Sequence, residues 1–143
     1  MSLRLKRAEL VIKLARRKED QAASLLRQWR ERVENQRQQL LELENYQESY
    51  HRWPQGAQSV QSLITERAFF TQLSGVVDEQ RQRLSQMEHQ YQLYVNHWQG
   101  LHKRRQLLDE HRDRVALDET QRLDKQWDKL CDELAITAFS AKK

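Results

Sequence analysis

From Leu73 to Leu101 the chain repeats one spacing. Leu73, Val77, Gln80, Leu84, Met87, Tyr91, Tyr94, Trp98 and Leu101 follow one another in alternating steps of four and three. That 3.5-residue period keeps one seam of a helix facing a partner helix. Leu63 and Phe70 precede the run, and Leu108 and Val115 extend it. Leu123, Trp127, Leu130 and Leu134 continue in a shifted phase, which predicts a stutter near residues 115 to 120. A second walk by threes and fours starts at Leu10 and meets Leu14, Lys18, Ala22, Leu25, Trp29, Val33, Gln36, Leu40, Leu43, Gln47 and Tyr50. It predicts another helix with one stripe, interrupted at Lys18, Gln36 and Gln47.

Between the two walks lies YHRWPQGAQS, residues 50 to 59, which holds the chain's only proline, Pro54, and the first of its three glycines, Gly56. Proline has no amide hydrogen and moves the residue before it out of helical geometry. Gly56 can take a positive φ, and Ser59 can cap the next helix. The expected architecture is therefore all-α: a long antiparallel two-helix coiled-coil hairpin with an overhanging C-terminal helix. It forms a single coiled-coil domain over 1–143, with helix one about 3–51, a turn at 52–58 and helix two about 59–138. The arms are unequal, about 70 Å and about 120 Å at 1.5 Å per residue. Folding at residues 54 to 56 sets residue 10 opposite about residue 100. The overhang then carries Leu108, Val115, Leu123, Trp127, Leu130 and Leu134 without an intramolecular partner. A lone striped helix is marginal in water, so these six are candidate partner-binding residues, for a second copy or another protein. Gly75 and Gly100 each cost about 1 kcal/mol relative to alanine, and are expected to bend helix two or admit a close neighbour.

Composition supports elongated helices over a globule. Charged residues reach 32% against 38% apolar, and regular spacing argues against disorder. Cys131 is alone, so neither an intrachain disulfide nor a cysteine metal cluster is expected. No apolar run approaches the ~18 residues of a membrane span, and charges break every short apolar run near the N-terminus. A cytoplasmic protein is the expectation. Over residues 1–40, 11 Lys or Arg face 5 acids, leaving +6; over 106–143, 7 face 9, leaving −2. The basic arm either meets an acidic partner, nucleic acid or anionic lipid, or is a solvated helix face.

Catalytic patterns are missing. The sequence has no glycine-rich phosphate loop, no GxSxG and no HExxH, and no two of His51, His89, His97, His102 and His111 stand four apart. We expect no enzyme, no cofactor and no metal site. Basic clusters at Arg16, Arg17, Lys18 and at Lys103, Arg104, Arg105 raise the alternative of a nucleic-acid-binding coiled coil, and residues 3 to 18, a basic amphipathic helix, raise that of membrane-surface binding. Interleaved acids and the absence of a groove-reading fold argue against nucleic acid.

One surface stands out near the corner. Gln39, Leu43, Tyr46 and Tyr50 follow the spacing i, i+4, i+7, i+11, and Phe69, Leu73, Val76 and Gln80 repeat it on the second arm. A plain seam needs neither Leu41 with Leu43 and Tyr46, nor both Phe69 and Phe70. The surplus marks either a docking face or a wider local core.

Several runs resemble the flagellar export protein FliJ family: LVIKLARRKEDQAASLL (10–26), LLELENYQESY (40–50), ERAFFTQLSGVVDEQRQRL (66–84) and VNHWQGLHKRRQLLDEHRDR (95–114). DETQRLDKQWDKLCDEL (118–134) matches the family's C-terminal part only loosely. The resemblance implies a non-enzymatic stalk of the type III export apparatus, similar to the rotor stalk of rotary ATPases. Implied partners are the hexameric flagellar export ATPase, the cytoplasmic portion of the export gate, and export chaperones. The implied location is cytoplasmic, peripheral at the flagellar base. The family's gate contact falls on Gln39, Leu43, Tyr46, Tyr50, Phe69, Leu73, Val76 and Gln80, where Gln80 replaces an expected histidine. The corresponding stalk of a virulence type III secretion system is the alternative within the class.

Overall fold

Both helices begin on a serine cap. In the computed structural model, which describes residues 2–52 and 59–141, the Leu5 amide donates to Ser2 Oγ at 3.1 Å, and the Ser62 amide donates to Ser59 Oγ at 3.3 Å. Each cap satisfies a donor that the first helical turn leaves unpaired, a gain of about 1 kcal/mol. Helix α1 spans Leu3–Arg52 and α2 spans Val60–Ala141. They pack antiparallel, so the fold is an all-α helical hairpin. The expected turn over 52–58, with Pro54 and Gly56, lies outside the described residues except for Arg52, which ends α1.

The chain divides into two compact units, one of residues 21–98 and one of residues 1–20 with 99–143. In the 21–98 unit the core is Val33 and Leu40 on α1 against Leu73 and Val77 on α2, with Val77 only 1% exposed. The Trp29 and Tyr94 rings meet at 5.3 Å. Two of the three expected interruptions of the α1 stripe, Gln36 and Gln47, are matched polar layers. Gln36, 5% exposed, donates its amide to Gln80 Oε1. Gln47 donates to Ser74 Oγ at 3.0 Å. A buried polar group needs such a partner, or its desolvation is uncompensated. Exposed pairs strap the flanks: Arg37 with Glu88 and Arg81 with Glu44, each at 3.1 Å. Pairs of that kind contribute little on their own.

In the terminal unit the inward face of α1 is Leu5, Ala8, Ile12, Ala15 and Glu19, and α2 answers with Leu101, Arg105, Leu108, Arg112 and Val115. Here the expected phase of α1 is wrong. Leu10 and Leu14 are 59% and 52% exposed, and Leu25 also faces out. The true seam steps three and four from Leu5 through Ile12, Glu19, Ala22, Leu26 and Trp29 to Tyr50 without a break. Small alanines and one carboxylate occupy its early positions, so the larger outward leucines imitate a seam. Lys18, which looked like an interruption, is on the outside.

The register is also corrected. Arg112 lies 3.9 Å from Glu9, which sets residue 10 opposite about residue 111, not about 100. The reason lies at the start of α2. The Tyr50 hydroxyl donates to the Glu66 carbonyl at 3.4 Å, so α2 has already run about two turns before it draws level with the end of α1. Leu108 and Val115 therefore do not belong to the overhang. Leu108 is half-buried and Val115 is 1% exposed, both against α1. The bare segment is shorter. Every residue from 120 to 141 is exposed, including Leu123, Trp127, Leu130 and Leu134, and Ile136 joins them.

Neither glycine of α2 admits a close neighbour: a Cβ built at Gly75 or Gly100 meets nothing within 4 Å. Both are helical, and α2 is continuous through them. We therefore expect Gly75→Ala and Gly100→Ala each to stabilise the fold by about 1 kcal/mol. Urea unfolding followed by helical circular dichroism checks this, and a loss of stability would reveal a constraint on the backbone there.

Candidate functional site

Three features of the surface and seam could serve partners. The first belongs to the 21–98 unit, where the two sequence stripes meet. Tyr50 joins them: its ring centre is 5.3 Å from Phe69 and 6.3 Å, stacked, from Phe70. Burial, then the nearby Glu66 carboxylate, pushes the Tyr50 phenol above its ordinary pKa and keeps it neutral. Tyr46, Phe69, Val76 and Gln39 are exposed beside it, and Leu43 is half-buried. The other two expected members have different surroundings. Leu73 is buried in the core, and Gln80 is bonded to Gln36. The two stripes thus hold exposed aromatic and aliphatic side chains at Tyr46, Phe69 and Val76, while Leu73 and Gln80 belong to the seam. Val60, Leu63 and Ile64 enlarge this aromatic and aliphatic patch, lining a shallow cleft with Tyr50 and Phe70. Spacing could have flagged Val60 and Ile64, which fall one turn apart at the start of α2.

The second feature is a charged layer within the terminal unit. Glu19 sits in the seam, where one carboxylate oxygen accepts from Arg105 Nε and the other from His102 Nδ1 at 2.7 Å. Arg105 donates in turn to Asp109 at 2.7 Å. Asp109 Oδ1 is shut off from solvent without a hydrogen bond, 3.8 Å from Arg16 and 3.9 Å from Arg112. The signal for Glu19 in the sequence is its place in the heptad, seven after Ile12. Among the described residues no cluster of His, Cys, Asp and Glu is arranged to hold a metal. The third feature is the bare end of α2, with its apolar stripe over Leu123, Trp127, Leu130 and Leu134.

The sequence matches the flagellar FliJ protein family over residues 5–143, nearly its whole length. The chain belongs to the FliJ family. It is a protein of the flagellar type III export apparatus. Searches of curated proteins and of solved structures return no match. Among the described residues, no helix of this FliJ-family chain is long and apolar enough to cross a membrane.

The charged layer has a pH signature. Burial raises the Glu19 pKa, but the bonds from Arg105 and His102 together outweigh it, and the carboxyl lies below its ordinary value. A group depressed in the folded state contributes stability that is present above its unfolded pKa and lost as pH falls through the folded one. Stability of the chain should therefore drop below about pH 4, and Glu19→Gln should flatten that part of the profile. Urea midpoints measured from neutral to acid pH test this; parallel profiles for both proteins would assign the acid sensitivity elsewhere.

Proposed function

We propose that this FliJ-family chain is a non-enzymatic coupling element of the export apparatus, held by the hexameric export ATPase through the end that carries its termini and by the cytoplasmic portion of the export gate through the aromatic patch. Its place of action is the cytoplasm at the flagellar base, where it also escorts export chaperones. Family membership over residues 5–143 is the observation that supports this most directly. The match is to a flagellar family, which favours the flagellar apparatus over a virulence secretion system.

The physical argument is one of division of labour. A two-helix hairpin spends its apolar residues on a narrow seam and has no enclosed cavity in which a substrate could be desolvated. What remains for function is surface. Tyr46, Phe69 and Val76, backed by Tyr50 and Leu43, supply amphipathic area of the type that concentrates binding energy.

The decisive experiment is co-purification of the chain with the ATPase and, separately, with the gate's cytoplasmic fragment. Tyr46→Ala combined with Phe69→Ala should weaken gate binding about tenfold or more while helicity and ATPase binding persist. Unchanged affinity for the gate fragment would remove the patch from the interface. The purified chain should hydrolyse no ATP above buffer background, and turnover at enzymatic rates would overturn the coupling role.

A further inference from the structure

The two flanks of the helix pair in the terminal unit differ in how their charges are met. On one flank cations and acids lie together. Lys6, Lys13, Arg16 and Arg17 share a groove with Glu9 and Asp20. Arg16 lies 3.8 Å from Asp109, and Arg112 lies 3.9 Å from Glu9. The grooves of the other flank have no such partners. Arg4, Arg7, Val11, Leu14 and Lys18 of α1 stand there beside Arg104, Leu108 and His111 of α2, and no carboxylate lines these grooves among the described residues. None of Arg4, Arg7, Lys18 and Arg104 makes an ion pair among the described residues. The apolar side chains here are outside the core. Leu3, Val11 and Leu14 are 64%, 44% and 52% exposed. Leu107, three after Arg104 and four before His111, falls on the same strip of α2 and is exposed too.

Unpaired cations and exposed leucines on one strip limit what can cover it. Arg4, Arg7, Val11, Leu14 and Lys18 follow the spacing i, i+3, i+7, i+10, i+14, so charge and apolar surface mix along a single line of α1. Nucleic acid would offer phosphates to the cations and nothing to the leucines. A docked acidic helix would cover the leucines, but its carboxylates and these cations would lose water within the same narrow stripe, where desolvation offsets the pairing. A lipid surface separates the two demands. Leucines enter the acyl boundary, while long Arg and Lys side chains lay their stems beside them and raise their charged heads to the lipid phosphates. We propose that this flank docks reversibly on an anionic lipid surface, with Arg4, Arg7, Lys18 and Arg104 among the headgroups and Val11, Leu14 and Leu107 in the layer beneath. The phase of α1 makes this possible, since a leucine held in the seam could not reach lipid. Docking leaves Ile12 and Val115 buried in the seam, so the helix pair lies flat without unfolding. The inference does not rest on the coupling role.

The test is co-sedimentation of the full-length chain with vesicles of mixed phosphatidylglycerol and phosphatidylcholine, beside vesicles of phosphatidylcholine alone. Uptake by the anionic vesicles only, falling as salt rises, is expected. Arg7→Glu with Lys18→Glu should lower the partition coefficient at least about tenfold with helicity unchanged. Lys13→Glu with Arg17→Glu makes the same change of charge in the groove of the opposite flank and should lower it much less. In a Cys131→Ser background, an environment-sensitive dye on Leu14→Cys should shift to the blue when anionic vesicles are added, whereas the same dye on Lys13→Cys should not. No uptake by anionic vesicles, equal uptake by both kinds, or an equal loss from the two charge-reversed pairs would overturn the proposal. Retention on a duplex oligonucleotide or on an acidic amphipathic peptide, with no uptake by vesicles, would overturn it too and assign the flank to nucleic acid or to a protein. Gate and ATPase binding are read separately by co-purification.

Discussion

A seam one residue wide is the constraint on which this protein depends. Each helix offers the other a single side chain every three or four positions, and most of what lies outside that line faces water. Such a seam is stable only if helical phase is kept over many turns. A purely apolar seam would also allow the helices to slide by a whole heptad at modest cost. The polar layers prevent this. Within the 21–98 unit, a slip of seven residues along α2 would bring Gln36 against Leu73 or Met87 in place of Gln80, and leave a buried amide unbonded. Within the terminal unit, a slip in one direction would take Glu19 away from both Arg105 and His102, whereas a slip in the other would offer it Arg112, so this layer guards one direction only. An unsatisfied buried polar group costs about 1–3 kcal/mol, and more if charged. These layers add little net stability, but they penalise the wrong registers, the best-attested role of buried polar groups in coiled coils.

Much of this was legible in the residues. The 3.5-residue period from Leu73 to Leu101 is the seam of α2, and Leu108 and Val115 do extend it. Two helices, a cap at Ser59 and the all-α hairpin follow from the same spacing and from the position of Pro54. What misled was side-chain size. Leu10, Leu14 and Leu25 are large and periodic, yet exposed, while Ala15, Glu19 and Ala22 carry the seam. Hydrophobicity alone cannot distinguish an alanine that faces in from one that faces out. Only the phase shared with Leu26, Trp29 and Val33 could have done so. The register error has a different source. Proline marks where a helix stops, but it does not mark where two helices begin to pair. Here α2 runs about two turns past the level of Arg52, and that offset moved residue 10 from about 100 to about 111 along its partner.

The same offset changes how the surface is apportioned. With the helices paired further along α2, Val115 becomes core, and the unpaired stripe begins past residue 119. At the other end of the pairing, the offset exposes Val60, Leu63 and Ile64 beside Tyr50 and Phe70 and so widens the aromatic patch. The patch itself was visible as two copies of one spacing. That Leu73 would be core and Gln80 bonded to Gln36 was not, because spacing places residues on a face without saying how far around the helix the partner reaches.

Leaving twenty-odd residues of striped helix bare is costly for an isolated chain, because the stripe exposes apolar surface that other proteins can cover. In the coupling role proposed above such a segment has a use, since it must remain available until its partner arrives. Exposure is then the counterpart of availability: a stripe covered within its own molecule would have to be uncovered before a partner could bind it, and its apparent affinity would fall by the fraction covered.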